Sequence, residues 1–351
     1  MMHLWVRAEE RANERRVGIT PAGVARLMAE GMRVTVEDSP TRVLPIDGYR
    51  QTGAAIAAAG SWRDAPDDAV IFGLKELPFN TGPLRHRHIL FGHAFKGQAD
   101  GLDLLARFKA GGGALYDLEY LVDDRQRRVA AFGYWAGFVG AALSVAAWAA
   151  QHGSSAMGPV TPWDNQESLV ADIQDRLAAA NAPSPTALII GALGRTGTGA
   201  TSFLSQIGVT PTAWDMAETA GGGPFPEVLA HNIFLNCILA MDGVPVFVPA
   251  DAPQTPRALR VIGDIACDPT SDFSPVKVYD RITTWAEPLL RAAPEPPLDV
   301  MAIDNLPSLL PLESSEDFAD QLLPHLQCLP DIGRGVWARA HETYRTALST
   351  L

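Results

Sequence analysis

Short apolar segments alternate with helix-like segments along the first part of the chain, and this order restricts the fold more than any other feature. The segments "AVIFGLKE" (69–76) and "HILFGHAF" (88–95) are almost continuously apolar, which is typical of strands buried on both faces of a parallel sheet. A helical pattern that ends in glycines, "GLDLLARFKAGGG" (101–113), follows them. The alternation predicts a doubly wound α/β domain.

A second series of the same kind lies beyond residue 165. It begins with the amphipathic pattern "ESLVADIQDRLAAANA" (167–182) and continues with apolar segments at 187–190, 211–215, 232–237 and 260–267. Because 351 residues exceed the usual size of one folding unit, the chain is expected to form two domains.

The segment from Val129 to Gln151 has no charged residue over 23 positions and contains the small-residue pattern "GYWAG". It is long enough to span a bilayer. However, 12 of its residues are alanine or glycine, which are weakly hydrophobic, and no second segment resembles it. We therefore predict a helix buried inside the protein and no membrane partner.

The composition argues against several classes of protein. A net charge of -12 opposes binding to nucleic acid, whose phosphates attract cations. The three cysteines, Cys237, Cys267 and Cys328, are far apart, so we expect no metal site and a reducing cytoplasm. The charged start "MMHLWVRAEERANERR" is not typical of a secretory signal. An anionic substrate would have to be bound by local clusters of Arg, Lys and His.

A glycine-rich stretch, "LIIGALGRTGTGA" (188–200), joins an apolar strand to a helix-like pattern. Gly191, Gly194 and Gly197 would allow a tight turn and a close approach of the backbone to a pyrophosphate at the helix start. Asp215 follows Gly191 by 24 residues, near the spacing at which an acid binds the ribose hydroxyls of NAD. The alternatives are an ordinary turn and a helix-capping acid. Strand, loop, helix and acid in this order favour a dinucleotide site.

Polar residues end two neighbouring apolar strands of the first domain. Lys75 and Glu76 end one, and His93 ends the next. The carboxyl ends of parallel strands face ligands, and a partly buried lysine can lose its proton and act as a base. A single lysine at such a position is more commonly the ion-pair partner of a nearby acid, here Glu76. A single histidine at a strand end, such as His93, is more commonly structural. Their occurrence on adjacent strands favours an active site.

Two arginine pairs, Arg15-Arg16 and Arg127-Arg128, could each hold a carboxylate through two hydrogen bonds, although exposed charge is the usual role of such pairs. Two further residues are candidates for the polar lining of a site: Gln98 and Glu119. The residues alone therefore predict a two-domain NAD oxidoreductase that acts on an anionic substrate.

Several segments resemble the NAD-dependent, L-lysine-forming saccharopine dehydrogenases, relatives of alanine dehydrogenase and of the NAD-binding transhydrogenase subunit. The resemblance runs nearly end to end, and its most family-specific segments are "GLKELP", "RRVAAFG" and "IDNLPSLLP". It implies two doubly wound, Rossmann-like domains with a cleft between them. Residues 1–131 plus 314–351 would form a discontinuous substrate and catalytic domain, and residues 132–313 the NAD-binding domain.

The resemblance implies an oxidative cleavage of saccharopine, in which hydride leaves the glutamyl Cα for NAD and water opens the imine to L-lysine and 2-oxoglutarate. Lys75 would be the base and His93 the acid–base group of the imine steps, with Glu76 and Glu119 adjusting their charge. The implied substrate-binding residues are Arg16, Gln98, Arg128, Phe132 and Asp268. The implied cofactor-binding residues are Arg127, Gly191, Gly194, Arg195, Gly197, Asp215, Thr219, Ile265, Ile303, Asp304, Asn305 and Leu306.

The chain departs from the fungal family pattern at four positions. Thr196 replaces a cysteine that could pair with the position of Cys237, and the other changes are Leu239 for tyrosine, Cys267 for alanine and Asn305 for histidine. These changes leave the reaction type intact. Alternatives are a related amino-acid dehydrogenase with another substrate pair, such as alanine and pyruvate, or a catalytically silent NAD-binding regulatory protein. The presence of both Lys75 and His93 favours an enzyme, as a monomer or a small homo-oligomer.

Overall fold

The computed structural model describes residues 1–78, 82–95, 99–153 and 157–351. Contacts divide the chain into two compact units. The first unit comprises Met1–Ala131 and Leu312–Leu351, and the second unit comprises Phe132–Pro311. The assignment of catalysis to one unit and of NAD binding to the other stays a prediction.

The described residues contain twelve strands and ten α-helices. The strands are β1 (His3–Val6), β2 (Arg33–Glu37), β3 (Ala55–Ala57), β4 (Ala69–Phe72), β5 (Arg87–Leu90), β6 (Ala114–Asp117), β7 (Ala187–Ile190), β8 (Thr212–Trp214), β9 (Ile233–Asn236), β10 (Val261–Asp264), β11 (Leu290–Ala293) and β12 (Leu298–Met301). The helices are α1 (Pro21–Ala29), α2 (Ile46–Gln51), α3 (Ala99–Gly111), α4 (Gly133–His152), α5 (Gln166–Ala179), α6 (Arg195–Gln206), α7 (Met216–Thr219), α8 (Pro226–Ala230), α9 (Pro311–Gln327) and α10 (Gly335–Ser349).

The first unit is built on a parallel sheet with the strand order β3-β2-β1-β4-β5-β6. Leu4 of the central strand β1 lies opposite Val34 of β2 and Val70 of β4. All four residues of β4 are buried, because helices cover both faces of a doubly wound sheet. The chain reverses its direction of progress between β1 and β4, which is where ligands bind in such sheets.

The second unit has the strand order β11-β12-β10-β9-β7-β8, parallel except for the edge strand β11, which runs antiparallel to β12. Its strand order reverses between β7 and β9, and the glycine-rich stretch follows β7. The predicted α/β class with two doubly wound sheets is therefore confirmed. The sequence did not predict α2, β3, β11 or β12.

The uncharged segment forms α4, which is a core helix of the second unit. It is the only helix in the described residues that is long and apolar enough to cross a membrane, and most of it is buried within the fold. It packs closely against α6 because a glycine of each helix faces the backbone of the other: a Cβ on Gly137 would lie 1.8 Å from the Thr196 carbonyl oxygen, and one on Gly199 would lie 1.9 Å from that of Tyr134. The small residues thus serve helix packing, as predicted for a buried helix.

The C-terminal helices α9 and α10 pack on the first unit. The Ser315 hydroxyl of α9 accepts a hydrogen bond from the Val17 amide (3.0 Å), and the Tyr344 hydroxyl of α10 donates to the Gly113 carbonyl oxygen (3.1 Å). These contacts join residues 298 and 231 positions apart in the chain and complete the layer of helices on the first sheet.

A histidine without a hydrogen-bond partner lies in the core of the first unit. His88 of β5 is 0% exposed, and neither ring nitrogen has a partner among the described residues. Its ring meets those of Trp62 and Phe108 edge to face, with centroids 5.2 and 5.4 Å away. Such surroundings exclude the charged imidazolium.

We expect the stability of the protein to fall as the pH drops below about 6.5, the ordinary histidine pKa. Burial lowers the pKa of His88 well below that value, and Arg7, His86 and Arg107 lower it further. The unfolded chain therefore gains a proton that the folded chain refuses, at a cost of about 1.4 kcal/mol per pH unit. In urea denaturation at pH 7.5 and 5.5, His88→Phe should lessen this loss, whereas His152→Gln, at an exposed position, should keep it in full. Equal losses in His88→Phe and the wild type would contradict the assignment.

Candidate active site

The residues predicted to carry chemistry in the first unit follow parallel strands of one sheet. Lys75 follows β4, His93 follows β5, Glu119 follows β6, and Arg16 lies in the segment after β1. Because parallel strands end at the same edge of a sheet, all four segments lie along one edge.

The main chain of Lys75 is held by the segment that follows β1. The Glu9 carboxylate accepts hydrogen bonds from the backbone amides of Leu74 (2.6 Å) and Lys75 (3.0 Å), and Arg7 donates to the Lys75 carbonyl oxygen. Arg7 also pairs with Glu9, with its Nη2 3.4 Å from Oε2. These contacts fix the point from which the Lys75 side chain leaves the backbone.

The Lys75 side chain is half-buried and has no ion pair among the described residues. Burial lowers its pKa, the Arg16 charge lowers it further, and the nearby Glu14 carboxylate opposes this effect. Glu76 is exposed and has Arg11 as its ion-pair partner, 3.9 Å away. The interpretation of Lys75 as the ion-pair partner of Glu76 therefore has no support, and the lowered pKa suits a general base.

Arg16 forms a buried ion pair with Glu14. Its Nε and Nη2 donate to the two carboxylate oxygens of Glu14 at 2.8 and 2.6 Å, and its exposed fraction is only 4%. Burial opposes the charge of Glu14, but Arg16 and Lys75 hold its pKa below the ordinary value. Glu14 was not predicted from the sequence, where it stands among other charged residues without a distinguishing pattern.

His93 and Glu119 face each other at the ends of β5 and β6. The His93 Nδ1 lies 3.8 Å from the Glu119 Oε2, while Oε1 accepts a hydrogen bond from Arg128 Nη2 at 2.7 Å. The Phe91 ring stacks on the His93 ring, and the backbone of His93 has a left-handed φ of 48°. Such a backbone is uncommon for a residue with a side chain and recurs at functional sites. Predicted catalytic and substrate-binding residues thus form one charged cluster.

Asp117 at the end of β6 joins the two segments that carry His93 and Glu119. Its carboxylate accepts hydrogen bonds from the backbone amides of Gly92 (3.1 Å) and Glu119 (2.8 Å). Burial raises its pKa to about 7. Asp117 was not predicted from the sequence, although its position at the end of a buried strand was a usable signal.

The described structure does not place three predicted substrate-binding residues in this cluster. Gln98 is outside the described residues. Phe132 and Asp268 belong to the second unit, where Phe132 precedes α4 and Asp268 is exposed after β10. Their predicted contacts with substrate stay predictions.

The glycine-rich stretch of the second unit turns tightly between β7 and α6. Gly191 has a φ of 89°, which favours glycine. A Cβ on Gly197 would lie 2.1 Å from the Gly191 carbonyl oxygen, so only glycine fits under the turn. Gly194 is the N-cap residue of α6 and has no side chain that could cap the first turn. A helix start that directly follows a glycine turn fits the pyrophosphate of a dinucleotide.

Asp215 at the end of β8 is tied to the glycine turn. One carboxylate oxygen accepts a hydrogen bond from the Leu193 amide (3.0 Å), and the other accepts one from the Met216 amide (2.9 Å). Asp215 thus caps α7, as the structural alternative proposed, and Thr219 donates to its carbonyl oxygen (3.1 Å). The contact with Leu193 also places the carboxylate beside the predicted phosphate loop, so both roles are compatible.

The other predicted cofactor-binding residues differ in accessibility. Ile303 and Leu306 are each 1% exposed and belong to the core of the second unit, so only their backbone could reach a dinucleotide. Asp304 between them is exposed. The remaining residues are Ile265 and Asn305, half-buried, Arg195, exposed as the first residue of α6, and Arg127, which pairs with Asp123 in the first unit.

The cysteines near the carboxyl ends of β9 and β10 are not reactive thiols. Burial raises the pKa of Cys267 to about 12 and also raises that of Cys237. The Cys267 thiol donates to the Ala302 carbonyl oxygen at 3.0 Å. Both therefore stay protonated at neutral pH and play no nucleophilic part.

Comparison with known proteins gives matches along almost the whole chain. Residues 5–139 match the family model described as alanine dehydrogenase/PNT, N-terminal domain. The NAD(+), L-lysine-forming saccharopine dehydrogenase of Schizosaccharomyces pombe is 43% identical over 99% of this chain and 99% of its own, and that of Yarrowia lipolytica is 44% identical over 97% and 96%. This chain belongs to the saccharopine dehydrogenase family. The resemblance recognised in the sequence is thus confirmed.

Solved structures outside the saccharopine dehydrogenase family share the fold. An L-alanine dehydrogenase superposes with a TM-score of 0.67 at 17% identity, covering 99% of this chain and 94% of its own. A transhydrogenase from Sinorhizobium meliloti gives 0.63 at 14% identity, covering 94% and 95%. At such identities the likeness concerns the fold alone, and it agrees with the two doubly wound sheets.

Proposed function

We propose that the chain is an NAD-dependent saccharopine dehydrogenase that cleaves saccharopine oxidatively to L-lysine and 2-oxoglutarate and catalyses the reverse condensation. The observation that carries the proposal is the half-buried Lys75 amine, which has a lowered pKa and lies at the same sheet edge as the His93–Glu119 pair. Membership of the family supports the choice of substrate.

The glycine turn and the start of α6 would hold the NAD pyrophosphate, with Asp215 toward the ribose hydroxyls. Bound NAD supplies a hydride acceptor for the glutamyl Cα–H of saccharopine. The first step requires the secondary amine of saccharopine to be neutral. Lys75 in its unprotonated form would take the proton from the ammonium form of that amine. The lowered pKa of Lys75 increases the fraction of that form at neutral pH.

His93 would move the protons of the hydrolytic steps. As water adds to the imine carbon, His93 accepts a proton from the water and passes it to the nitrogen of the carbinolamine. As the C–N bond then breaks and the carbonyl forms, His93 accepts the proton of the carbinolamine hydroxyl. Glu119 faces the ring and would stabilise its charged form, while the Glu119–Arg128 contact keeps the carboxylate in place. Arg16 and Arg128 would contribute positive charge toward the substrate carboxylates.

The proposal is tested by following NADH oxidation with the purified protein, 2-oxoglutarate and a panel of amines led by L-lysine. We expect loss of NADH that depends on both L-lysine and 2-oxoglutarate, and none with alanine plus pyruvate. NADPH should be used roughly tenfold or more less efficiently, since Asp215 would repel a 2′-phosphate. Activity with another amine but not with L-lysine would mean that the substrate is different. NADH binding without any NADH oxidation would favour a regulatory protein.

We infer that the partners of the protein are these small molecules and that it works in the cytoplasm, as a monomer or a small homo-oligomer. Three unpaired cysteines support a reducing compartment. The net charge of -12 supports the absence of a nucleic-acid partner.

A further inference from the structure

Arg42 carries a guanidinium group whose hydrogen-bonding capacity the described part of the chain does not satisfy. It lies between β2 and α2, over the ring of Tyr49, with its Cζ 5.2 Å from the ring centroid. Its Nη1 is buried and has no hydrogen-bond partner among the described residues. A buried donor without an acceptor is costly, and an acceptor brought by a ligand would remove that cost.

Other arginines along this sheet edge are already engaged. Arg16 donates to both oxygens of Glu14, Arg128 donates to Glu119, and Arg7 holds the main chain of Lys75. Saccharopine has three carboxylates, and an additional cation is therefore useful at this edge.

The acidic groups that act electrostatically on Arg42 differ in their hydrogen bonding. Burial lowers the pKa of Arg42, and Tyr49, Asp38, Glu9 and Glu37 oppose this effect. Glu37 already accepts hydrogen bonds from the amides of Ala8, Gly60 and Trp62. Glu9 accepts hydrogen bonds from the amides of Leu74 and Lys75. Asp38 is exposed, and its carboxylate makes no hydrogen bond within the described residues. Arg42 and Asp38 are thus a cation and an anion with unused hydrogen-bonding capacity, four positions apart in one segment of the chain.

We propose that Arg42 and Asp38 bind the zwitterionic α-amino-acid head group of L-lysine, and hence the lysyl end of saccharopine; this inference rests on the proposed function. Arg42 binds the α-carboxylate through its guanidinium fork, and Asp38 accepts hydrogen bonds from the α-ammonium. The pair distinguishes an amino acid from a simple amine of the same length.

The spacing of the strands agrees with the length of the lysyl arm. Lys75 follows β4 and Arg42 follows β2, with β1 between them, so the two strand ends are roughly 10 Å apart at about 4.8 Å per strand. The extended side chain of L-lysine spans roughly 7–8 Å from its Nε to its α-carboxylate carbon. A hydrogen bond of about 3 Å to Arg42 brings this length to the distance between the two strand ends. The Val43 amide donates to the Arg15 carbonyl oxygen (2.8 Å), which ties the Arg42 segment to that of Arg16.

The test compares Arg42→Met with the wild type in the condensation direction. Methionine keeps an apolar stem over Tyr49 and removes the charge. We expect the KM for L-lysine to rise at least about tenfold, while kcat and the KM values for 2-oxoglutarate and NADH stay within about twofold. Arg42→Lys should recover part of the loss, and Asp38→Asn should also raise the KM for L-lysine. Arg50→Met, which removes an exposed arginine of α2, should leave every constant unchanged.

An unchanged KM for L-lysine in Arg42→Met, or a rise in the KM for 2-oxoglutarate instead, would overturn the inference. Titration calorimetry with L-lysine separates this outcome from failure of the proposed function. If the wild type does not turn over but binds L-lysine, a tenfold weaker binding by Arg42→Met still supports the head-group site. Equal binding by both proteins, or no binding by the wild type, overturns it.

Discussion

Replacement of Lys75 by methionine is expected to lower kcat at least about a hundredfold, the lower range for a lost acid–base group. The reason is local: the half-buried amine has a pKa lowered by burial and by Arg16, and its backbone is held by Arg7 and Glu9. Methionine has a similar length and no proton to exchange. Steady-state NADH oxidation with L-lysine and 2-oxoglutarate measures the effect.

Two controls separate a catalytic loss from a structural one. Lys109→Met removes an exposed lysine of α3 and should keep wild-type turnover. The dissociation constant of NADH should be unchanged in Lys75→Met, because the glycine turn and Asp215 belong to the second unit. Turnover within a few-fold of the wild type would remove Lys75 from the mechanism and leave His93 as the candidate base.

The first sheet could be predicted because buried parallel strands leave a strong compositional signal. The strands β4 and β5 could be predicted directly from the apolar segments that contain them. The hairpin of β11 and β12 leaves no such signal, since each strand contains a charged residue and "PEPP" separates them. In the fold Arg291 donates to the buried Asp299 at 2.5 Å, and Gln151 satisfies the other oxygen at 2.7 Å. Only the folded structure brings these partners together.

The same reasoning explains which parts of the site could be predicted. The strand-end positions of Lys75 and His93 follow from a topological rule that applies to every parallel sheet. The roles of Arg7, Glu9 and Asp117 could not be predicted from that rule, because they consist of hydrogen bonds to the backbone of other segments. Glu9, for example, binds an amide 65 residues along the chain. No local pattern reveals such a partner before the sheet has formed.

Substitution of Gly197 by alanine is expected to lower kcat/KM for NADH on the order of a hundredfold, as displacements of about 1 Å in a binding frame can do. The added Cβ would lie 2.1 Å from the Gly191 carbonyl oxygen and 2.5 Å from the Ala192 Cα. Both atoms belong to the backbone of the turn, so the turn itself must move. The amides at the start of α6 would then no longer face the same point.

Gly158→Ala is the matched control, because it adds the same methyl group at an exposed glycine of the second unit, away from the glycine turn. A Cβ on Gly158 would meet no atom within 4 Å, and the backbone there is not left-handed. We expect its NADH dissociation constant to stay within about twofold of the wild type, as for other unstrained surface changes. L-lysine binding by Gly197→Ala, measured by calorimetry, should persist and thereby show that the first unit remains folded. Wild-type NADH binding by Gly197→Ala would mean that the tight turn does not form the phosphate site, and the dinucleotide would have to be sought away from the start of α6.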